Sequence, residues 1–188
     1  PKNNFLRKVR SLCNKKGIVL IFDECTSGFR KNYGGIHKIF KVNPDIAIFG
    51  KALGNGYAIT AIIGKKKVMN YSQDSFISST FWTERIGLAA ALATLKEMKK
   101  KRSWKVIDSN GNYIIKNLRK ISKKHDLKIK IQALPSLCNY IILSKDWQKY
   151  KTLISQEMLK KGFLATNAVY SSIAHTKKII DKYFKELD

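Results

Sequence analysis

The chain is short of acid: 13 Asp and Glu stand against 37 Lys and Arg, a formal charge of +24 over 188 residues. It is short of cysteine as well. Cys13, Cys25 and Cys138 are odd in number and widely spaced, which argues against a disulfide framework and fits a reducing cytoplasm. The histidines, His37, His125 and His175, stand alone, without the spacing of metal ligands. No apolar run approaches a membrane span. The opening "PKNNFLRKVR" has neither an apolar signal stretch nor an initial Met, and reads as part of something longer or as a processed product. Arginine is scarce too, six against 31 lysines, and the excess is even: residues 1–100 carry 18 bases and 6 acids, residues 101–188 carry 19 and 7, so each half is +12. Nucleic-acid sites favour arginine interleaved with aromatics. The lysine excess, accompanied by abundant Ile and Asn, therefore reads as a lysine-rich proteome, and nucleic acid is not an expected partner.

What is present is a core. At 44% hydrophobic residues the chain has enough apolar side chain to fold. Phe5, Leu6, Val9, Leu12 and Cys13 recur at helical spacing, and Gly17 suits the C-terminal cap. "GIVLIF" reads as a fully buried strand, as parallel strands are, and ends in Asp23-Glu24. The Gly-rich stretch 26–42 reads as loop. "PDIAIF" is a second buried strand, "GYAITAIIG" a third, with a turn at 64–67. From Thr83 an Ala/Leu-rich helix closes in lysines. Trp104, Ile107, Ile114, Leu118 and Ile121 continue the helical period, a reading that Gly111 weakens. "LKIKI" alternates as a half-exposed strand, with "LCNYIIL" as its partner. A helix near 147–161, an extended "GFLAT" and a helix near 175–187 complete the order. Buried strands with helical crossovers give an α/β layer over residues 1–100, followed by a small α+β domain over 101–188.

Asp23 and Lys51 each end a buried strand, so an acid and an amine face one crevice beyond the carboxyl ends of neighbouring strands. Taken singly, Asp23 also fits a loop acid or helix cap, and Lys51 an ion pair with that same Asp. A nucleotide P-loop is excluded by order, because there the lysine follows the last glycine and precedes Ser or Thr.

The segments "IFDECTSGFR", "PDIAIFGKALGNGYAITAIIG" and "SSTFWTERIGLAAALATL" resemble the class III aminotransferases, fold-type-I enzymes that use pyridoxal 5'-phosphate, in the branch like glutamate-1-semialdehyde 2,1-aminomutase. The resemblance covers residues 5 to about 100 well and the remainder loosely. It implies part of a fold-type-I large domain, mainly parallel sheet with helices. It implies Lys51 as the Schiff-base lysine and as the carrier of the proton between substrate and cofactor carbons, its neutral amine favoured by burial. It implies Asp23 on the pyridine nitrogen. It places Cys25 against the cofactor ring and Thr26 near the ring hydroxyl. Thr80 would bind the phosphate of the neighbouring subunit in a homodimer with shared sites, with Ser79 as a second choice and a plain helix cap as the other reading of Thr80.

Cys25 stands where the family has Val or Ile, Thr26 where it has Gln or Met, and "FWTER" replaces Gly-Gly-Asn-Pro. Family members run to more than twice this length, and their N-terminal half carries the phosphate loop and the ring-stacking aromatic, so an incomplete site is expected here. The function implied is amino transfer between small amino and keto or aldehyde substrates, transamination ahead of intramolecular transfer. The alternatives are a non-catalytic lysine-rich remnant that binds polyanions and a paralogue that serves only in dimerisation. His175 reads as a helix-start residue, and Trp82 as interface or core.

Overall fold

A computed structural model describes residues 1–132 and 134–188. The chain divides into two compact units, Pro1–Arg102 and Ser103–Asp188.

In the first unit, α1 (Phe5–Lys16) closes on Gly17 at φ 66°, the left-handed cap that its sequence predicts. Strand β1 (Ile21–Asp23) lies parallel to β2 (Ile46–Phe49), with Ile21 opposite Ile46 and Asp23 opposite Ile48. Strand β3 (Ala61–Gly64) runs antiparallel on the other side of β2, Phe49 facing Ala61. The lysine turn after it is a short helix, α2 (Lys66–Met69). The long helix α3 (Arg85–Lys101) begins two residues later than Thr83, because the Glu84 side chain accepts from Ile86 N at 3.2 Å and caps it there. Phe29, Ala47, Phe49 and Leu53 pack with Ala91, Leu95 and Met98 of α3, so α3 covers one face of the sheet. Buried Asp45 braces the edge: it accepts from Arg10 Nη1 at 2.7 Å, Lys65 Nζ at 2.7 Å and Leu20 N at 2.8 Å.

One expectation fails here. The apolar run 17–22 predicts a fully buried strand, yet Ile18 and Val19 are exposed and Ile21 is 51% exposed, as is Ile63 of β3 at 57%. An apolar strand is buried on both faces only when a second layer covers it, and no described residue supplies that layer.

In the second unit, α4 (Ser103–Lys124) runs unbroken through Gly111. A Cβ there would meet Pro135 O at 2.1 Å, so the glycine that weakened the helical reading is what lets the chain cross the helix closely. Strands β4 (Ile129–Gln132), β5 (Leu137–Ile142) and β6 (Ala168–Tyr170) form an antiparallel sheet in that order. Helix α5 (Trp147–Lys160) links β5 to β6, and α6 (Lys177–Leu187) follows. Ile114 and Leu118 of α4, Cys138 and Tyr140 of β5, and Ile180 and Phe184 of α6 make one core; each such side chain removed from water contributes about 2 kcal/mol. The extended piece expected at 162–166 is not strand. Gly162 (φ 81°) and the bond from Phe163 N to Met158 O use those residues to end α5, and the strand follows at 168. No helix among the described residues is long and apolar enough to cross a membrane.

Candidate active site

Two adjacent parallel strands deliver the site. Asp23 is the last residue of β1, and Lys51 follows β2 after one glycine. Glu24 N donates to Ile48 O at 2.8 Å and carries the pairing one residue past β1. Both side chains thus belong to the carboxyl edge, where an open α/β sheet gathers ligands.

After β1 the side chains part. Asp23 is exposed and accepts from Cys25 N at 2.9 Å. The amide and thiol of Cys25, with the charge of Lys51, hold the Asp23 carboxyl below its ordinary range. Conversely, the bond to Asp23 pushes the Cys25 thiol up, aided by burial. Glu24 turns inward and is only 2% exposed. Its Oε2 accepts from Ser27 Oγ. Its Oε1 accepts from His37 N at 3.0 Å and lies 2.9 Å from His37 Nδ1, while its carbonyl accepts from Gly28 N at 2.8 Å. Burial pushes Glu24 up, but the bonds from Ser27, His37 and the Ile36 amide outweigh it and hold the group below its ordinary value. The buried pair thereby fixes the turn that carries Cys25 and Thr26.

Lys51 opens a 3-10 turn, Lys51–Leu53, with φ 46°, a left-handed backbone that residues other than Gly, Asn or Asp rarely adopt. The glycines just beyond shape the same turn: Gly56 has φ 106°, and a Cβ on Gly54 would meet Tyr57 O at 2.2 Å. Lys51 Nζ donates to Thr26 Oγ1 at 2.6 Å. Its bonded partner is therefore a hydroxyl, and no ion pair among the described residues joins it to Asp23. The sequence predicts burial for this lysine; the structure leaves it exposed, because it stands in the turn beyond the end of β2 and not within the strand. A Cβ on Gly50 would lie 3.4 Å from Cys25 Sγ, so the thiol packs beside the residue that precedes Lys51.

The structure thus brings together Asp23, Cys25, Thr26 and Lys51. It does not bring Thr80 to them: Thr80 is exposed in the turn before α3, and no hydrogen bond among the described residues joins it to the group. Ser79 Oγ accepts from Phe81 N at 3.3 Å in the same turn. Trp82 is exposed. His175 Nδ1 accepts from Ser172 N at 3.2 Å, and its carbonyl accepts from Asn110 Nδ2 at 2.8 Å, ahead of α6. Sequence reasoning missed Glu24 and His37. The acid following Asp23 was a signal for an inward-facing carboxylate, since neighbouring residues on a strand face opposite sides. A partner 13 residues away, in a short 3-10 helix over Ile36–Phe40 within the stretch that reads as loop, left none.

A family model described as aminotransferase class-III matches residues 1–178. The chain is similar to the 3-aminobutyryl-CoA aminotransferase of Cloacimonas acidaminovorans (strain Evry), 37% identical over 201 residues, which take in all of this chain and 48% of that protein. It is 29% identical over 205 residues to a glutamate-1-semialdehyde 2,1-aminomutase of Methanocaldococcus jannaschii, again covering 100% of this chain and 48% of that one. Among solved structures, the PLP internal aldimine form of the FumI protein of Sphingopyxis sp. MTA144 matches with a TM-score of 0.90 at 24% identity, over 97% of this chain and 45% of that one, a likeness of fold. The chain spans about half the length of the curated relatives it matches.

Proposed function

The chain belongs to the class-III aminotransferase family, and from that premise we propose that it carries the lysine-bearing part of an amino-transfer site. The observation behind the reading is the placement of Asp23 and Lys51 at the carboxyl ends of two adjacent parallel strands, with Lys51 Nζ held on Thr26 Oγ1 at 2.6 Å.

The family's cofactor is pyridoxal phosphate, and the residues present fit it. Asp23, held ionised by Cys25, offers an anionic acceptor to a ring nitrogen. Lys51 offers an accessible primary amine hydrogen-bonded to a hydroxyl. Cys25 offers a small apolar side chain to a ring face. Bound there, pyridoxal phosphate supplies an aldehyde for an amine and a ring that withdraws electrons from the adjoining carbon. Asp23 keeps a proton on the ring nitrogen. Lys51 Nζ would carry the proton between the substrate carbon that bears the nitrogen and the cofactor carbon on the other side of that nitrogen. Thr80 serves the phosphate in a second copy of the chain, where the residues before α3 meet a shared site. The whole protein is then a homodimer that acts on small amino and keto compounds. We assign transamination ahead of intramolecular transfer, and a 3-aminoacyl thioester is the first donor to try, in view of the 37% identity to the aminobutyryl-CoA enzyme.

Borohydride reduction of the chain with pyridoxal phosphate, followed by peptide mapping, tests the reading. Label concentrates on Lys51 among the 31 lysines, and Lys51→Ala loses it without spreading it elsewhere. Label scattered over surface lysines would overturn the reading for this chain and favour the polyanion-binding remnant, which salt-dependent retention on nucleic acid would then reveal.

A further inference from the structure

Lys51 has a choice of partners at the strand ends. Asp23, whose carboxyl the charge of Lys51 helps to hold low, stands at the end of the adjoining strand. Its hydrogen bond nevertheless goes to Thr26 Oγ1, at 2.6 Å. The two partners differ in what they do to an amine. A carboxylate favours the charged ammonium and so raises a lysine's pKa. A hydroxyl accepts from an ammonium or from a neutral amine alike, and restrains the nitrogen by one neutral bond without a full negative charge beside it. Thr26 is itself well anchored for this. It is half-buried in the turn that the Glu24 carboxylate closes onto Ser27 and His37. Lys51, for its part, leaves β2 through a left-handed residue, and the nitrogen ends on the turn of the neighbouring strand.

We propose that Thr26 is the positioning residue of Lys51: its hydroxyl holds the ε-amine between the ends of β1 and β2 whenever that amine carries no substituent, so that it is delivered to, and recovered from, one place. The proposal rests on the reading of Lys51 as the reactive amine of the site, and it assigns Thr26 a task toward the protein's own lysine. Val is the informative substitution, since it keeps the branched shape and removes the acceptor. Ser restores the acceptor without the methyl group.

Two measurements on the full 188-residue chain separate the proposal from the reading beneath it. The first needs no cofactor. Competitive acylation with acetic anhydride, read peptide by peptide across pH, gives the reactivity of Lys51 relative to the other lysines. Thr26→Val raises that ratio about fivefold, as expected when one modest hydrogen bond no longer restrains the nitrogen; Thr26→Ser keeps the wild-type ratio. The second follows the rate at which pyridoxal phosphate becomes reducibly attached to Lys51. It falls about fivefold in Thr26→Val and is recovered in Thr26→Ser, with labelling of other lysines unchanged. An unaltered acylation ratio in Thr26→Val overturns the proposal, as does a Ser variant that behaves like Val. A changed ratio in a chain that attaches no cofactor at Lys51 upholds the role of Thr26 and removes the amino-transfer reading instead.

Discussion

The two units bury polarity in opposite ways. In the first, the buried polar groups are ionisable and paired: Glu24 with Ser27 and His37, Asp45 with Arg10 and Lys65. In the second, the titratable groups in the core are two phenols and a thiol, Tyr140, Tyr183 and Cys138, kept neutral by their surroundings. The first unit holds loops and strand ends in position beside an exposed apolar sheet face. The second is closed by packing, Ile114 at 2% and Cys138 at 0% exposed. The first unit fixes its turns with charged, directional bonds, whereas the second relies on packing together with neutral bonds such as Ser171 Oγ to Ile107 O at 2.7 Å.

The sharpest way to break this contrast is to damage each unit in its own currency. Glu24→Ala strands the Ser27 hydroxyl, the His37 amide and the His37 ring without their acceptor, so we expect a loss of about 3 kcal/mol in the first unit. Gly111→Ala drives a methyl group into the backbone at Pro135, where no flexible side chain can yield, and should cost about 2 kcal/mol in the second. Hydrogen exchange resolved by peptide reads both: protection falls furthest at 20–50 in the first variant, and at 105–140 in the second. A Glu24 variant that keeps its protection at 24–40 would show that the buried carboxylate does not fix the turn.

A smaller effect comes with pH, and its sign differs between the buried groups of the two units. Glu24 and Asp45 have folded values below their ordinary 4.5 and 3.8. Their contribution is present above those ordinary values and is lost as pH falls through the folded ones, because the unfolded chain then binds more protons. Tyr140 moves the other way, pushed by burial from 10.0 to about 12, and Cys138 from 9.0 to about 11. Their contribution is complete below the ordinary values and is lost as pH rises toward the folded ones. Acidification below pH 4 should therefore loosen the first unit first, and alkali above pH 9 the second. The same exchange experiment at pH 3.5 and pH 10 decides it, after correction for the intrinsic rate; equal loosening of both units at either extreme would erase the contrast.

Legibility in the sequence divides along the same line. Shape was readable: the period at 104–121, the helix near 175–187 and the alternation at 127–131 each have an element over most of their length, because one repeated preference decides each of them. The strand-end positions of Asp23 and Lys51 were readable for the same reason, a polar residue closing an apolar run. Directional features were not. The partnership of Glu24 with His37 depends on how a loop returns, and the choice of Thr26 over Asp23 by Lys51 depends on a side-chain path. The burial expected of "GIVLIF" failed because an apolar pattern records what a strand needs and not whether the described residues provide it.

The subtlest consequence concerns Lys51 itself. Its backbone is left-handed at φ 46°, which costs a residue with a Cβ about 1 kcal/mol, and Asn less. Lys51→Ala and Lys51→Asn both remove the amine and its bond to Thr26; they differ in how well each tolerates the conformation. If the strain belongs to the site, Lys51→Asn should leave the first unit more stable than Lys51→Ala by about 0.5–1 kcal/mol, while both abolish reducible cofactor attachment. Chemical unfolding of the two variants side by side measures the difference, with the slope checked for constancy. Equal stability would mean that the turn relaxes once the lysine is gone, and that the left-handed backbone is drawn in by the Thr26 bond and not imposed by Gly50 and the turn at 54–56. Either result would say whether chain geometry aims the lysine, or the lysine's partner shapes the chain.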